Sequence, residues 1–366
     1  MFRYRDKELA SETLRRLKTL DVNAQFMHVC GTHQDTLVRY GLEAMINDCG
    51  IRIRQGPGCP VCVTTQREFM EAALLARNGF TLATFGDVSR VPVKNGSLLD
   101  LRTEKRDVRV VYSITDAVKI AEKNPKNEVI FMAVGFETTA PSTAVILLND
   151  PPNNFSILSC HRYVPPILNA LLNTSELNLN GLIEPGHVST IIGVRPYEEL
   201  SKKYQVPQVI AGFEPLDVLM TVYMLALQVS RGEAKVENEY KRTVNYEGNK
   251  KAIKIMDSVF EPCDKAWRGF SEVPKSGMKV RRKFQDHDAR RKFEEVLKNV
   301  EVPTNKIICR CGDLLRGLAE PTDCKLFGTA CIPSHPIGPC MVSIEGSCNI
   351  EYKYGRSKNL KNFINK

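Results

Sequence analysis

The sequence predicts an α/β protein: two parallel-sheet βαβ domains, then a smaller domain of helical and irregular construction. Three observations predict this. Short β-branched runs alternate with helical periodicity over the first two thirds, the alternation breaks near Gly232, and the remainder gathers Cys, Pro and Gly. With 366 residues and 43% apolar composition, the chain exceeds what a single core organises.

The opening MFRYRDKELASETLRRLKTL reads as a charged amphipathic helix, without the apolar stretch or small-residue cleavage site of a signal peptide. AQFMHV predicts a strand leading into the helix GTHQDTLVRYGLEAM, and IRIRQ a second strand leading into VTTQREFMEAALLARNG. TLATFGD is a third, and VRVVYS before the helix ITDAVKIAEKN a fourth. A second series follows in VIFMAVG, FSILSC, GLIEPG and PQVIAGF, with helices such as PPILNALLNT and PLDVLMTVYMLALQVSRGE between and after them. The two series join near 119–126, which places domains at 1–122, 123–232 and 233–366, the last opening with charged helical stretches. The longest apolar run, 218–229, is too short to cross a bilayer and reads as a buried helix, so a soluble cytoplasmic protein is expected.

The formal charge of +9 is uneven: residues 1–230 carry 24 Lys+Arg and 24 Asp+Glu, against 27 and 18 in 231–366. The cluster Lys275, Lys279, Arg281, Arg282 and Lys283 lacks the aromatic interleaving of a nucleic-acid reader. A solvated basic face, or docking to an acidic protein, is expected in preference to nucleic acid or membrane.

Twelve cysteines in a reducing compartment point to metal binding or redox chemistry and away from a disulfide framework. Open parallel sheets bind ligands beyond the carboxyl ends of their strands, and the unusual peptides here all follow strands. They are Cys30-Gly31-Thr32-His33, Gly56-Pro57-Gly58-Cys59-Pro60-Val61-Cys62, Gly135-Phe136-Glu137-Thr138-Thr139, Cys160-His161, Gly186-His187 and Gly212-Phe213-Glu214-Pro215. Cys59 and Cys62 form a CxxC at a helix start, where the macrodipole favours thiolate; an inert buried pair is the plainer alternative. With Cys30 and His33 added, three sulfurs and an imidazole could converge on one soft or borderline metal, although His33 could equally be a surface or capping residue. The glycines before Cys59 permit close backbone approach to a ligand but lack the Lys and spacing of a P-loop. Thr138 and Thr139 suit helix capping or the binding of a small anion. Glu137, Glu214 and His187 could move protons in such a cleft.

Cys311, Cys324, Cys331 and Cys348 fall at C-x12-C-x6-C-x16-C among turn-forming residues. Four thiolates suit zinc or a [4Fe–4S] cluster, and the wide gaps lean toward the cluster. Cys309 competes with Cys311 as first ligand, and Cys340 is a spare.

These segments together resemble the hydrogenase maturation protein HypD family nearly from end to end. The matching stretches are CGTH at 30–33, GPGCPVCVT at 56–64, GFETTAP at 135–141, GHVSTIIG at 186–193, GFEP at 212–215, CRCGD at 309–313 and CMVSIEGSC at 340–348. The resemblance implies two α/β domains and a third bearing a [4Fe–4S] cluster on Cys311, Cys324, Cys331 and Cys348. It implies a redox-active scaffold that assembles the iron–cyanide–carbonyl unit of [NiFe]-hydrogenase with the chaperone HypC and the cyanide supplier HypE. Cys30 would meet the iron shared with HypC, and Cys59 and Cys62 would act as a dithiol. Cys160, and the polar NIEYKYG after Cys348, depart from the family's pattern. An iron–sulfur thiol-disulfide reductase and a zinc-stabilised binding module are the competing readings.

Overall fold

A computed structural model describes residues 6–93, 96–174, 176–302 and 309–355; the first five residues of the expected N-terminal helix lie outside these. That helix runs Lys7–Thr19, opened by Asp6, whose Oδ1 accepts from the N–H groups of Glu8 and Leu9 at 3.0 and 3.1 Å. The strands are β1 (Ala24–His28), β2 (Ile51–Gln55), β3 (Thr81–Thr84), β4 (Pro92–Val93), β5 (Gly96–Ser97), β6 (Val108–Val110) and β7 (Val129–Gly135). They continue with β8 (Phe155–His161), β9 (Gly181–Pro185), β10 (Gln208–Ala211), β11 (Val236–Asn238), β12 (Phe260–Ala266) and β13 (Glu272–Val280). A five-stranded parallel sheet has the order β11-β10-β9-β1-β2, and a four-stranded parallel sheet the order β6-β3-β7-β8. The expected α/β class with parallel βαβ sheets is therefore present.

Strand membership cuts across the expected boundary at 122. β1 and β2 join β9, β10 and β11, while the four-stranded sheet takes β3 and β6 from before the boundary and β7 and β8 from after it. The physical reason is that a strand buried on both faces, such as VIFMAVG, is apolar throughout and carries no mark of its neighbour. The start at 233 is likewise not an edge in space. β11 extends the five-stranded sheet, and 260–280 forms the antiparallel hairpin β12–β13 where charged helix was expected. Phe260 is buried and the next residues of β12 alternate between half-buried and exposed, so the charges there follow a period of two. The hairpin packs on the four-stranded sheet, with Ser159 Oγ donating to Met278 O at 2.7 Å and Tyr163 N–H to Ser276 O at 2.8 Å.

Three apolar cores result, and the largest joins both sheets to the C-terminal segment. It includes Met27, Phe69, Ile130, Tyr197 and Trp267 together with Cys59, Cys62, Cys311, Cys340 and Cys348. These five cysteines are thus part of one continuous interior. Among the described residues, no helix is long and apolar enough to cross a membrane.

Candidate redox and metal-binding site

Register aligns His28 with Gln55 and with Ile183, and Ala211 with Pro185, so the loops after β1, β2, β9 and β10 leave one edge of the five-stranded sheet. Cys30 stands just before the helix Gly31–Arg39. Gly56 N–H donates to His28 O at 2.8 Å, which draws the second loop onto the first. Gly58 then passes against Cys30: a Cβ at 58 would overlap Cys30 N and lie 2.5 Å from Cys30 Cα, so only glycine fits. The close approach expected to serve a ligand serves the Cys30 backbone instead. Cys59 and Cys62 follow around the short helix Pro60–Val63, the Cys62 N–H pointing at Cys59 Sγ from 3.2 Å. They are joined as a disulfide, with Cα atoms 5.2 Å apart, and both are 0% exposed.

A disulfide sulfur is not a thiolate ligand, and His33 commits one ring nitrogen to the fold while its Nδ1 is buried without a partner among the described residues. Its Nε2 lies 3.0 Å from Gly212 O and 3.3 Å from Ala211 O, so that nitrogen donates to the β10 loop and the ring acts as a tie between strand ends. Burial lowers its pKa to about 3, which keeps the ring neutral. Among the described residues, no three His, Cys, Asp or Glu side chains stand in metal-holding geometry, the C-terminal cysteines described below included. With Cys59 and Cys62 closed as a disulfide, Cys30, His33 and the pair gather at one sheet edge without four free donors. Cys30 remains a neutral thiol, raised to about 11 by burial and then by the nearby Glu345 charge.

The C-terminal cysteines make a second sulfur site. Cys309, Cys311, Cys324, Cys331 and Cys348 line one small cavity, with Leu314, Leu326, Phe327, Gly338 and Met341 completing its wall. Cys309 and Cys311 Sγ are 3.2 Å apart, and Ile337 N–H donates to Cys331 Sγ at 3.3 Å. A Cβ at Gly338 would fall 2.6 Å from the sulfurs of both Cys309 and Cys311, so the backbone closes over the cavity only as glycine. The Cys348 thiol is held well above its ordinary range by its contact with Cys311 and by burial; Cys309 is raised by Cys311 and burial in the same way. Thiols crowded like this ionise together only if a cationic group compensates them, and the all-sulfur, apolar wall fits a thiolate-bound metal group. Cys340, 0% exposed, lies outside the wall in the helix Pro339–Val342.

The other expected site residues divide between the two sheets. Glu137 is buried at the end of β7, where one carboxylate oxygen accepts from Val164 N–H at 2.9 Å and the other has no partner; burial raises its pKa to about 7. Thr138 is exposed and Thr139 half-buried, and no side-chain cap bond opens the helix Ala140–Leu148. His187 is exposed and stacks on Phe213 at 3.8 Å, while His33 stacks on the same ring at 5.1 Å. Glu214 precedes the helix Pro215–Ser230 and its N–H donates to Asp217 at 3.0 Å, a structural opening for that helix. Cys160 does not join Cys30: it is buried in β8, 3.9 Å from an Arg290 nitrogen. His161 meets Thr143 Oγ1 at 3.0 Å.

Sequence reasoning missed a buried ionic cluster at the end of β8. Arg162 and Glu68 form a buried pair at 2.5 Å, and Lys265 reaches the same carboxylate at 3.1 Å. Glu68 stands three residues after Thr65, a spacing that announces a capping box and conceals the second role. Glu184, on β9, was also missed; it is wholly buried, raised to about 8 by desolvation.

These features define an α/β protein with a buried cysteine pair at the edge of a parallel sheet and a sulfur-lined cavity next to it. The family model HypD, described as "Hydrogenase formation hypA family", matches residues 7–355, and the chain belongs to that family. It is 46% identical over 362 residues to a putative hydrogenase expression/formation protein of Methanocaldococcus jannaschii, covering 97% of this chain and 100% of the relative. Hydrogenase maturation factor HypD of Cupriavidus necator is 42% identical, with 98% and 97% covered, and that of Rhodobacter capsulatus 37%, with 97% and 98% covered.

Proposed function

We propose that the chain is a redox-active scaffold on which the Fe(CN)2CO unit of [NiFe]-hydrogenase is assembled with a HypC-type chaperone and a HypE-type cyanide donor. The observation that carries this reading is the join between the two sulfur sites. Pro339 O lies 4.0 Å from Cys62 Sγ, and the adjoining Gly338 is the point where any Cβ would meet the Cys309 and Cys311 sulfurs. A single peptide link thus spans from disulfide to cavity wall.

Cys311, Cys324, Cys331 and Cys348 would hold the [4Fe–4S] cluster, with Cys309 as a fifth sulfur beside Cys311. When bound, such a cluster supplies electrons singly. On the protein side, the Cys59–Cys62 S–S bond breaks as it takes up two electrons and two protons, giving two thiols beside Cys30. Once deprotonated, these three soft donors suit the incoming iron, which is cargo. Glu137 has a pKa fit for holding a proton near neutrality, and Tyr197 lies within electrostatic reach of both Glu137 and Cys30. Thr138, Thr139, His187 and Glu214 remain candidates for contacting the cyanide donor. Outside the disulfide, ten cysteines are free, which suits a cytoplasmic setting.

The test is anaerobic purification together with a HypC-type partner. The expected product is brown, contains iron and acid-labile sulfide, and shows infrared bands in the cyanide and carbonyl region; a colourless protein with stoichiometric zinc would reject the cluster. Cys59→Ala should keep the colour and abolish maturation, whereas normal maturation would reject the role of the pair. Reductase activity on a separate dithiol protein requires an accessible sulfur, and the 0% exposure of Cys59 and Cys62 weighs against it.

A further inference from the structure

The loop after β10 carries Phe213, whose ring lies between two histidines, stacked on exposed His187 at 3.8 Å and on buried His33 at 5.1 Å. Its backbone is pinned from three directions. Thr36 Oγ1 donates to Phe213 O at 2.7 Å, and a carboxylate takes the N–H group on either side: Gly212 donates to Glu239 Oε2 at 3.1 Å and Glu214 to Asp217 Oδ2 at 3.0 Å. Arg242 ties those two carboxylates together. Its Nη1 donates to Asp217 Oδ1 at 3.0 Å and lies 3.9 Å from Glu239 Oε1, while Nη2 donates to Asp217 Oδ2. The same guanidinium covers the Tyr240 ring at 4.4 Å, and Tyr240 meets Phe213 edge to face at 5.6 Å. Two glycines let the segments close up. A Cβ at Gly212 would overlap Asp217 Oδ2, and one at Gly186, just before His187, would overlap Ala211 O and stand 3.1 Å from Phe213 Cζ.

We infer that Glu239 and Arg242 are positioning residues for His187: they lock the 212–214 loop so that Phe213 stands as a fixed plate beneath that imidazole. Opening of the helix Pro215–Ser230 accounts for Asp217, whereas Glu239 takes the N–H of Gly212, ahead of that helix. An exposed side chain without backing samples several rotamers. Stacking on a held aromatic ring removes that freedom before any ligand arrives, so less ordering is left for binding to supply.

The inference deepens the proposed function, in which His187 is a candidate contact for the cyanide donor, and its test keeps the two apart. Full-length protein is labelled with 13C at the histidine Cε1 atoms, and the His187 signal is assigned by its loss in His187→Gln. Spectra are recorded at about pH 8, where an ordinary imidazole is neutral and the signal reports place and not protonation. Stacking over Phe213 moves that proton signal upfield, and Phe213→Leu marks its position without the ring. Glu239→Ala should move the signal at least halfway to that mark, and Arg242→Gln should do the same. Glu239→Gln keeps an oxygen for Gly212 N–H and should stay near wild type. A role in stability alone would leave the folded-state signal in place, so a Glu239→Ala protein that unfolds more easily yet keeps the wild-type signal overturns the inference. A Phe213→Leu signal coincident with wild type overturns it equally, because the ring would then not back His187. Should Arg242→Gln not fold, Glu239→Ala decides alone. Normal hydrogenase maturation by His187→Ala would reject the donor contact in the proposed function, and the spectra would still decide the positioning.

Discussion

Cys59 and Cys62 close on each other at a sequence separation of three, across a short helix, whereas the sulfurs of Cys309, Cys311, Cys324, Cys331 and Cys348 are brought together from separate turns around one cavity. The first site is fixed by local backbone and by the packing of two sheets. The second has little but its own thiols, glycine and proline turns and a few apolar side chains. The contrast teaches that the pair sits in a frame complete by itself, whereas the cavity, on the proposed reading, is completed by what it holds.

The largest effect expected to test this comparison is removal of a cavity sulfur. Cys324→Ala or Cys331→Ala should lose iron and sulfide, and amide exchange in 311–350 should speed by at least about a hundredfold while 51–77 keeps its protection. Equal loss in both regions would erase the distinction. Next comes the buried ionic cluster at the end of β8: Glu68→Gln strands the buried Arg162 charge and should cost roughly 3–5 kcal/mol in denaturant unfolding. A smaller pair of changes addresses each site alone, at about 1–3 kcal/mol each. Gly58→Ala should push the CxxC loop off Cys30 and quicken reduction of the disulfide with metal content unchanged; Gly338→Ala should lower metal content with the disulfide unchanged.

The last test is a pH slope. Glu137 has its pKa raised from 4.5 to about 7, so the folded carboxyl keeps a proton that the unfolded one has released. The stability it contributes is complete below the unfolded value and lost as pH rises through the folded one, at about 1.4 kcal/mol per pH unit in between. Urea unfolding from pH 5 to pH 7 should show this fall, and Glu137→Gln should flatten it.

Much of this was legible because strands and their ends are local signals. AQFMHV, IRIRQ, VIFMAVG, FSILSC, GLIEPG and PQVIAGF each became a strand, with the cysteine and glycine motifs directly after them. The partnership of β1 with β9 was not legible, since parallel pairing joins segments far apart and their apolar runs are interchangeable. The β12–β13 hairpin was obscured by its own charges, which belong to a one-sided strand and resemble a solvated helix. Arg242 carried no signal at all, because a lone arginine in a loop acquires meaning only from the carboxylates it meets. The gathering of C-terminal sulfurs was readable from composition, whereas the closed state of Cys59 and Cys62 came only with geometry.

The interleaving of the sheets has a consequence for biosynthesis. β2 ends at Gln55 and β9 begins at Gly181, so a growing chain displays both CxxC sulfurs long before the strand that completes their sheet has left the ribosome. During that interval the thiols are open to stray oxidants and metal ions. Arrested nascent chains ending near residue 170 should alkylate readily at Cys59 and Cys62, and full-length released protein should not.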